Sequence, residues 1–251
     1  MASSVAPVMP SNVSGDADEG PKISFVVGPT QEIFSIAVDL VRKVCKFLDN
    51  RPGNTELGYD PIVLKDVDTH IFHIFYLWSS CRDLVLLEYM IMVVGGTPRR
   101  IMYDKMFMQL VQCYCLGLTL DSAEFQNAVM DFIVRTAVTV HFEQGGMRLG
   151  METDQIIAVY ENTVAGSPLR QFVLDSQTTC TDIEKWIEDC DISDSNSLEN
   201  FTELTVMLAT VVDGEFISQE KLLPWVKDPC SYHVHPHAAA GYSCSRARVG
   251  Q

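Results

Sequence analysis

The sequence predicts an α+β protein: a small mixed sheet packed against a mainly helical cluster, with a C-terminal helical extension. Three features point there. Short β-rich runs at 23–28 and 32–37 flank a Gly-Pro turn, and a third such run lies at 61–64. Beyond it, apolar residues recur mostly at the three- and four-residue spacing of helices. The chain has 251 residues, 47% hydrophobic and 20% charged, which is the mixture of a folded chain and not of a disordered one. That length suits one large domain or one domain with extensions.

Each element has its own signal. Ile23-Ser24-Phe25-Val26-Val27-Gly28 reads as a strand, Gly28-Pro29-Thr30-Gln31 as a turn, and Glu32 to Ala37 as the returning strand of a hairpin. Leu40, Val41, Val44, Phe47 and Leu48 give a helix from Val38 to about Leu48, stopped by Arg51-Pro52-Gly53-Asn54. Pro61-Ile62-Val63-Leu64 is a third strand, and Asp66 to Thr69 supply helix-starting residues for a stripe of Ile71, Phe72, Phe75, Tyr76 and Ser79. Residues 83–94 suit either a buried helix turn or a strand. Phe107, Leu110, Val111, Tyr114 and Leu118 share a helix face. Asp121 and Glu124 resemble a capping box ahead of Phe125, Ala128, Val129, Phe132 and Ile133. A Gly-rich break at 144–150 precedes a helix near 154–164, and Leu204, Val206, Met207, Leu208 and Val211 suggest another. Residues 1–21 read as a flexible arm, 22–140 as the main domain, 141–227 as an acidic helical extension and 228–251 as a flexible tail.

Charge narrows the function. The formal net charge is -15, and residues 181–220 hold eleven acids against Lys185 alone. This argues against a nucleic-acid grip, which rests on clustered Lys and Arg. The acidic run is either a solvated face or a docking surface for a basic partner. Arg42, Lys43 and Lys46 cluster on the first helix, and Arg99-Arg100 form a pair, both without the interleaved aromatics that base stacking needs. No apolar run approaches the roughly 20 residues of a membrane span. Met1 to Gly20 lack the basic and apolar regions of a secretory leader, so a cytoplasmic or nuclear chain with reduced thiols is expected. The eight cysteines sit mostly among apolar neighbours, as small hydrophobes do.

No nucleophile elbow, phosphate-cradling Gly-rich loop or dinucleotide fingerprint is present, and neither an enzyme activity nor a cofactor is expected. The nearest approach to a metal site is Cys230 with His233, His235, His237 and Cys244, ligand types that zinc prefers; alternate histidines on an extended chain point to one side. The paired Cys-x-x-Cys of convincing zinc sites is missing, and an unstructured tail is the expectation. Cys113 and Cys115, His70 and His73, and Met102, Met106, Phe107 and Met108 read as structural residues.

The order of these pieces resembles the BTB/POZ domain in the form common in fungi. Ile23 to Gly28 and Phe34-Ser35-Ile36 running into Leu40 are similar to its opening strand pair and first helix. Pro61 to Asp68, followed by Ile71-Phe72 and Phe75-Tyr76-Leu77-Trp78, resembles its third strand and second helix. Tyr114-Cys115-Leu116-Gly117 with Leu120, then Phe125 to Asp131, is similar to its last helical pair. Val159 to Thr163, Ser167 to Arg170 and Val173-Leu174-Asp175 resemble the extension found in fungal members. The chain differs in carrying Ala37 and Cys45 where the family often has His and Ser.

The resemblance implies a non-enzymatic protein-interaction module: a homodimerising adaptor or scaffold, with a cullin-type ubiquitin ligase among the partner classes. A second reading is a transcription-associated regulator that recruits co-regulators and reaches DNA through a partner. A third, least supported, is a metal-dependent enzyme built on the His-x-His-x-His tail. Partner binding needs exposed apolar anchors on a rigid frame. Val38, Val41, Phe47 and Leu48 are the expected ones.

Overall fold

A computed structural model describes residues 20–48, 59–84, 99–143, 151, 153–180 and 223–235. Strand β1 (Lys22–Val27) pairs antiparallel with β2 (Glu32–Ala37) and parallel with β3 (Ile62–Leu64), giving the order β2-β1-β3. Alternation along β1 sends Ile23, Phe25 and Val27 inward and leaves Ser24 and Val26 on the outer face. Register places Phe34, Phe25 and Ile62 side by side on the inner face, the first cross-strand layer of the core. The hairpin turn rests on Gly28, whose φ of 71° lies in the left-handed region and whose N–H donates to Leu64 O at 2.9 Å. That bond ties the turn to the third strand.

Helix α1 (Val38–Val44) is shorter than the apolar spacing predicts. Cys45 turns extended, with φ -127° and ψ 116°, before a 3₁₀ turn at Lys46–Leu48. A tertiary bond explains the break, because Lys46 N–H donates to Asp121 O at 3.1 Å. Helix α2 (Thr69–Cys81) starts where the sequence places it: the Asp68 carboxylate accepts from His70 N–H at 2.7 Å and Ile71 N–H at 3.3 Å. It ends at Arg82, left-handed at φ 59°, whose guanidinium lies 5.1 Å over the Trp78 ring and 2.7 Å from Glu124.

Helices α3 (Arg99–Thr119) and α4 (Ala123–Glu143) form an antiparallel pair that meets closely at Gly117, against Gln126. The expected Asp121–Glu124 capping box is replaced. Asp121 is left-handed (φ 47°), Ser122 caps α4 by accepting from Phe125 N–H at 3.4 Å, and Glu124 pairs with Arg82 instead. Helix α5 (Thr153–Asn162) is followed by α6 (Pro168–Cys180), which Pro168 opens at a first-turn position where its missing N–H costs nothing. Arg170 of α6 closes the end of α5, donating to Tyr160 O at 2.7 Å and to Thr163 O. A short helix α7 (Pro224–Lys227) and a 3₁₀ turn (Pro229–Tyr232) follow.

One apolar core runs through all of these elements. Phe34, Phe25, Phe72, Phe75, Phe125 and Trp78 form a continuous chain of rings, with centroids 5.0 Å apart for Phe25–Phe72 and 4.8 Å for Trp78–Phe125. Residues of α5, α6 and α7 belong to the same buried cluster as the sheet, so the extension shares the core of the main domain. The flexible tail expected from residue 228 is corrected over 228–235. Tyr232 and His233 are buried there, because two large rings, Trp225 and Tyr232, find Phe172 to pack on. The expected arm up to residue 19, the ambiguous run 85–94, the acidic segment, the helix around Leu204–Val211 and residues 236–251 lie outside the described residues.

Candidate interaction surfaces

The four predicted anchors are not surface residues. Val38, Val41 and Leu48 are buried, and Phe47 is half-buried against the core with its ring 6.5 Å from that of Phe25. The helical stripe on which they were chosen is the face that α1 turns toward α2 and the sheet. The exposed side of the same stretch carries Arg42, Lys43 and Lys46. Arg42 donates to Tyr59 OH and lies 5.7 Å over its ring, so one of the three cations is held by a local aromatic.

Exposed apolar surface appears instead on the outer face of the sheet. Ile33 is 68% exposed and Val63 54% exposed. Register puts Val26 directly between them, paired with Ile33 on one side and Val63 on the other. Three strands thus present one apolar row, Ile33–Val26–Val63, on a frame held from behind by Phe34, Phe25 and Ile62. The sequence carried a signal for this. Ile33-Phe34 and Val26-Val27 are adjacent apolar pairs, and in a strand one member of each pair must face outward.

Cys45, Cys113 and Cys115 are shielded from ionisation by their position. Burial pushes the Cys45 thiol up from 9.0 to about 12 and Cys115 up to about 11, and it raises Cys113 as well. A thiol raised on folding adds nothing to the pH dependence below about pH 9 but opposes folding as the pH climbs toward 11–12, because only the unfolded chain ionises readily. The denaturation midpoint is therefore expected to fall between about pH 9 and 11 in the native chain and to fall less steeply in a Cys45→Ala variant. Equal slopes in urea melts of the two proteins would refute this.

Among the described residues of the Cys–His cluster, two close contacts are seen. His233 is buried and its Nε2 lies 2.7 Å from Asp131 Oδ1, while His235 Nε2 lies 3.3 Å from Cys230 Sγ. The two imidazole rings stay neighbours at 6.3 Å, as alternate positions on an extended chain should. Among the described residues no three His, Cys, Asp or Glu side chains converge as a metal site; His237 and Cys244 lie outside them. The contacts with α4 and α6 were missed in the sequence because they join residues 57 to 107 positions apart.

Also among the described residues, no helix is long and apolar enough to cross a membrane. The class these features define is an α+β chain with a three-stranded sheet of order β2-β1-β3 and a helical cluster that buries one face of it. Comparison with protein-family models, with curated proteins and with solved structures returns no match.

Proposed function

We propose that this chain is a protein-interaction module, a BTB/POZ-like homodimerising adaptor or scaffold, with a cullin-type ligase among the partner classes that the resemblance implies. The observation that carries the reading is the row Ile33–Val26–Val63. An isoleucine 68% exposed and a valine 54% exposed, flanking Val26 on either side, are a cost to a free chain unless another surface covers them. The order hairpin, helix, parallel strand, helix and then paired helices supports the family resemblance. A small sheet backed by rigid aromatic packing is a suitable base for such a surface, since little ordering remains to oppose association.

Substituting Ile33→Asp together with Val63→Asp tests it. Both side chains are exposed, so the fold should persist, with circular dichroism and the thermal midpoint close to those of the native chain. Light scattering of the full chain is expected to show a dimer at micromolar concentration and a monomer for the double variant. A monomeric native chain, or a dimer untouched by the two charges, would reject the sheet face as the dimer contact.

A further inference from the structure

The 3₁₀ turn Pro229–Tyr232 and the stretch after it bring a thiol and an imidazole to hydrogen-bond distance. Cys230 Sγ lies 3.3 Å from His235 Nε2, and both residues are half-buried, so each keeps a solvent-facing part. The pair is positioned from both sides. On the cysteine side, Pro229 opens the turn and the Cys230 carbonyl accepts from His233 N–H at 3.1 Å. On the histidine side, Val234 is held by both main-chain groups. Its N–H donates to the Asn127 amide at 2.6 Å and its C=O accepts from the same side chain at 3.0 Å. Just before it, the buried His233 imidazole lies 2.7 Å from Asp131. Bonds to α4 thus hold the chain around His235, and a nucleophile and its base are kept within reach of each other.

A thiol and an imidazole in this contact differ by the place of one proton. With the ring proton on Nδ1, His235 Nε2 accepts from the Cys230 S–H. Once that proton crosses, a ring cation stands beside a thiolate, the arrangement that makes a cysteine nucleophilic. The Cys230 carbonyl, 3.4 Å from the same nitrogen, can only accept and gives the transferred proton a second acceptor. The other described thiols have different partners. Burial raises Cys45, Cys113 and Cys115, and Cys115 donates to Asn162 O at 3.6 Å. Cys81 is exposed, but its sulfur meets the carbonyls of Leu77 at 3.2 Å and Asp83 at 3.4 Å, and a carbonyl is no base for a thiol.

We propose that Cys230 with His235 is a covalent modification site that takes small disulfides by thiol–disulfide exchange. His235 removes the proton from Cys230, and the thiolate attacks one sulfur of the disulfide. A new S–S bond forms to Cys230 as the old one breaks, and the departing thiolate takes the proton that His235 holds. Cys230 is oxidised to a mixed disulfide while half of the reagent is reduced to a thiol, so no further oxidant is needed. One imidazole serves both proton steps, which is why a disulfide suits this pair. A half-buried sulfur favours a small reagent over a protein-bound one. The site is separate from the sheet face, and its chemistry does not depend on dimerisation.

The test treats the folded, pre-reduced full chain with glutathione disulfide at about pH 7, where an ordinary thiol is only a few per cent ionised. Acid quenching and peptide mass spectrometry follow the adduct at each cysteine separately. Cys230 should react at least about tenfold faster than Cys81. Cys81 is the more exposed of the two, so access alone cannot produce that order. Cys45 and Cys113 should stay unmodified over the same time, and dithiothreitol should remove the adduct from Cys230. His235→Asn should slow Cys230 about tenfold and leave Cys81 unchanged. In that variant the Cys230 rate should climb about tenfold per pH unit between about pH 6 and 8, as an ordinary thiol's does, whereas the native rate rises less steeply. Three outcomes would each overturn the proposal: a native Cys230 no faster than Cys81, a rate and pH slope untouched by His235→Asn, or a native rate that jumps on adding a chelator, which would show a metal on the sulfur. Should the variant fail to fold, which adducts at Cys45 would reveal, the comparison of Cys230 with Cys81 in the native chain still decides.

Discussion

Replacing Phe75 by Ala is expected to lower the stability of the chain by about 3–5 kcal/mol, the range for deleting a fully buried ring. Phe75 is 0% exposed and holds the middle of the aromatic chain, 5.7 Å from Phe72, 5.2 Å from Phe125 and 6.1 Å from Trp78. With Trp78 it joins α2 to Phe125 of α4, and through Phe72 it connects that junction to the sheet side of the core. Neighbours fixed on three sides cannot collapse into the void, which places the loss toward the upper end. Phe75→Leu keeps most of the volume and should cost less than half as much. Urea denaturation of the three proteins checks both figures, and a loss under about 1 kcal/mol for Phe75→Ala would contradict the packing described.

Gly28→Ala is the second large effect, at about 2–3 kcal/mol. A left-handed backbone costs an L-residue about 1–2 kcal/mol before any contact is counted. At φ 71° the added Cβ would also stand 2.8 Å from Thr69 Oγ1 and 3.3 Å from the Val67 carbonyl. The Thr69 hydroxyl can rotate; the Val67 backbone cannot without loosening the link from β3 to α2. Gly166 is a built-in control. It has a similar φ of 77° with nothing within 4 Å of an added Cβ, so Gly166→Ala should show the backbone cost alone. If the two thermal midpoints drop equally, the contact at Gly28 contributes nothing.

Much of the fold was legible because its signals are local. The alternation in β1, the turn at Gly28, the β-rich run at Ile62 and the Asp68 cap each act within a few residues, and the elements lie where those residues place them. What failed depended on distant groups. The end of α1 is set by a bond to Asp121 O, 75 positions further along than Lys46, and no periodicity in Val38–Leu48 could report it. The partner anchors failed for a different reason. A stripe of Val38, Val41 and Leu48 states only that the face is apolar, and a core face and a docking face share that pattern. In the C-terminal segment Pro224, Pro229 and short spacing hid the elements, while Trp225 and Tyr232 bury against Phe172 more than fifty residues upstream.

The order in which these packing partners occur along the chain has a consequence for biogenesis. Translation releases α4 and α6 first and residues 223–235 only after a further 42 residues, an interval of about 2–8 s at roughly 5–20 residues per second. Through that interval the rings of Trp225 and Tyr232, which pack on Phe172 in the folded chain, have not yet been made. A message interrupted before codon 223 would yield a product that lacks both rings that pack on Phe172.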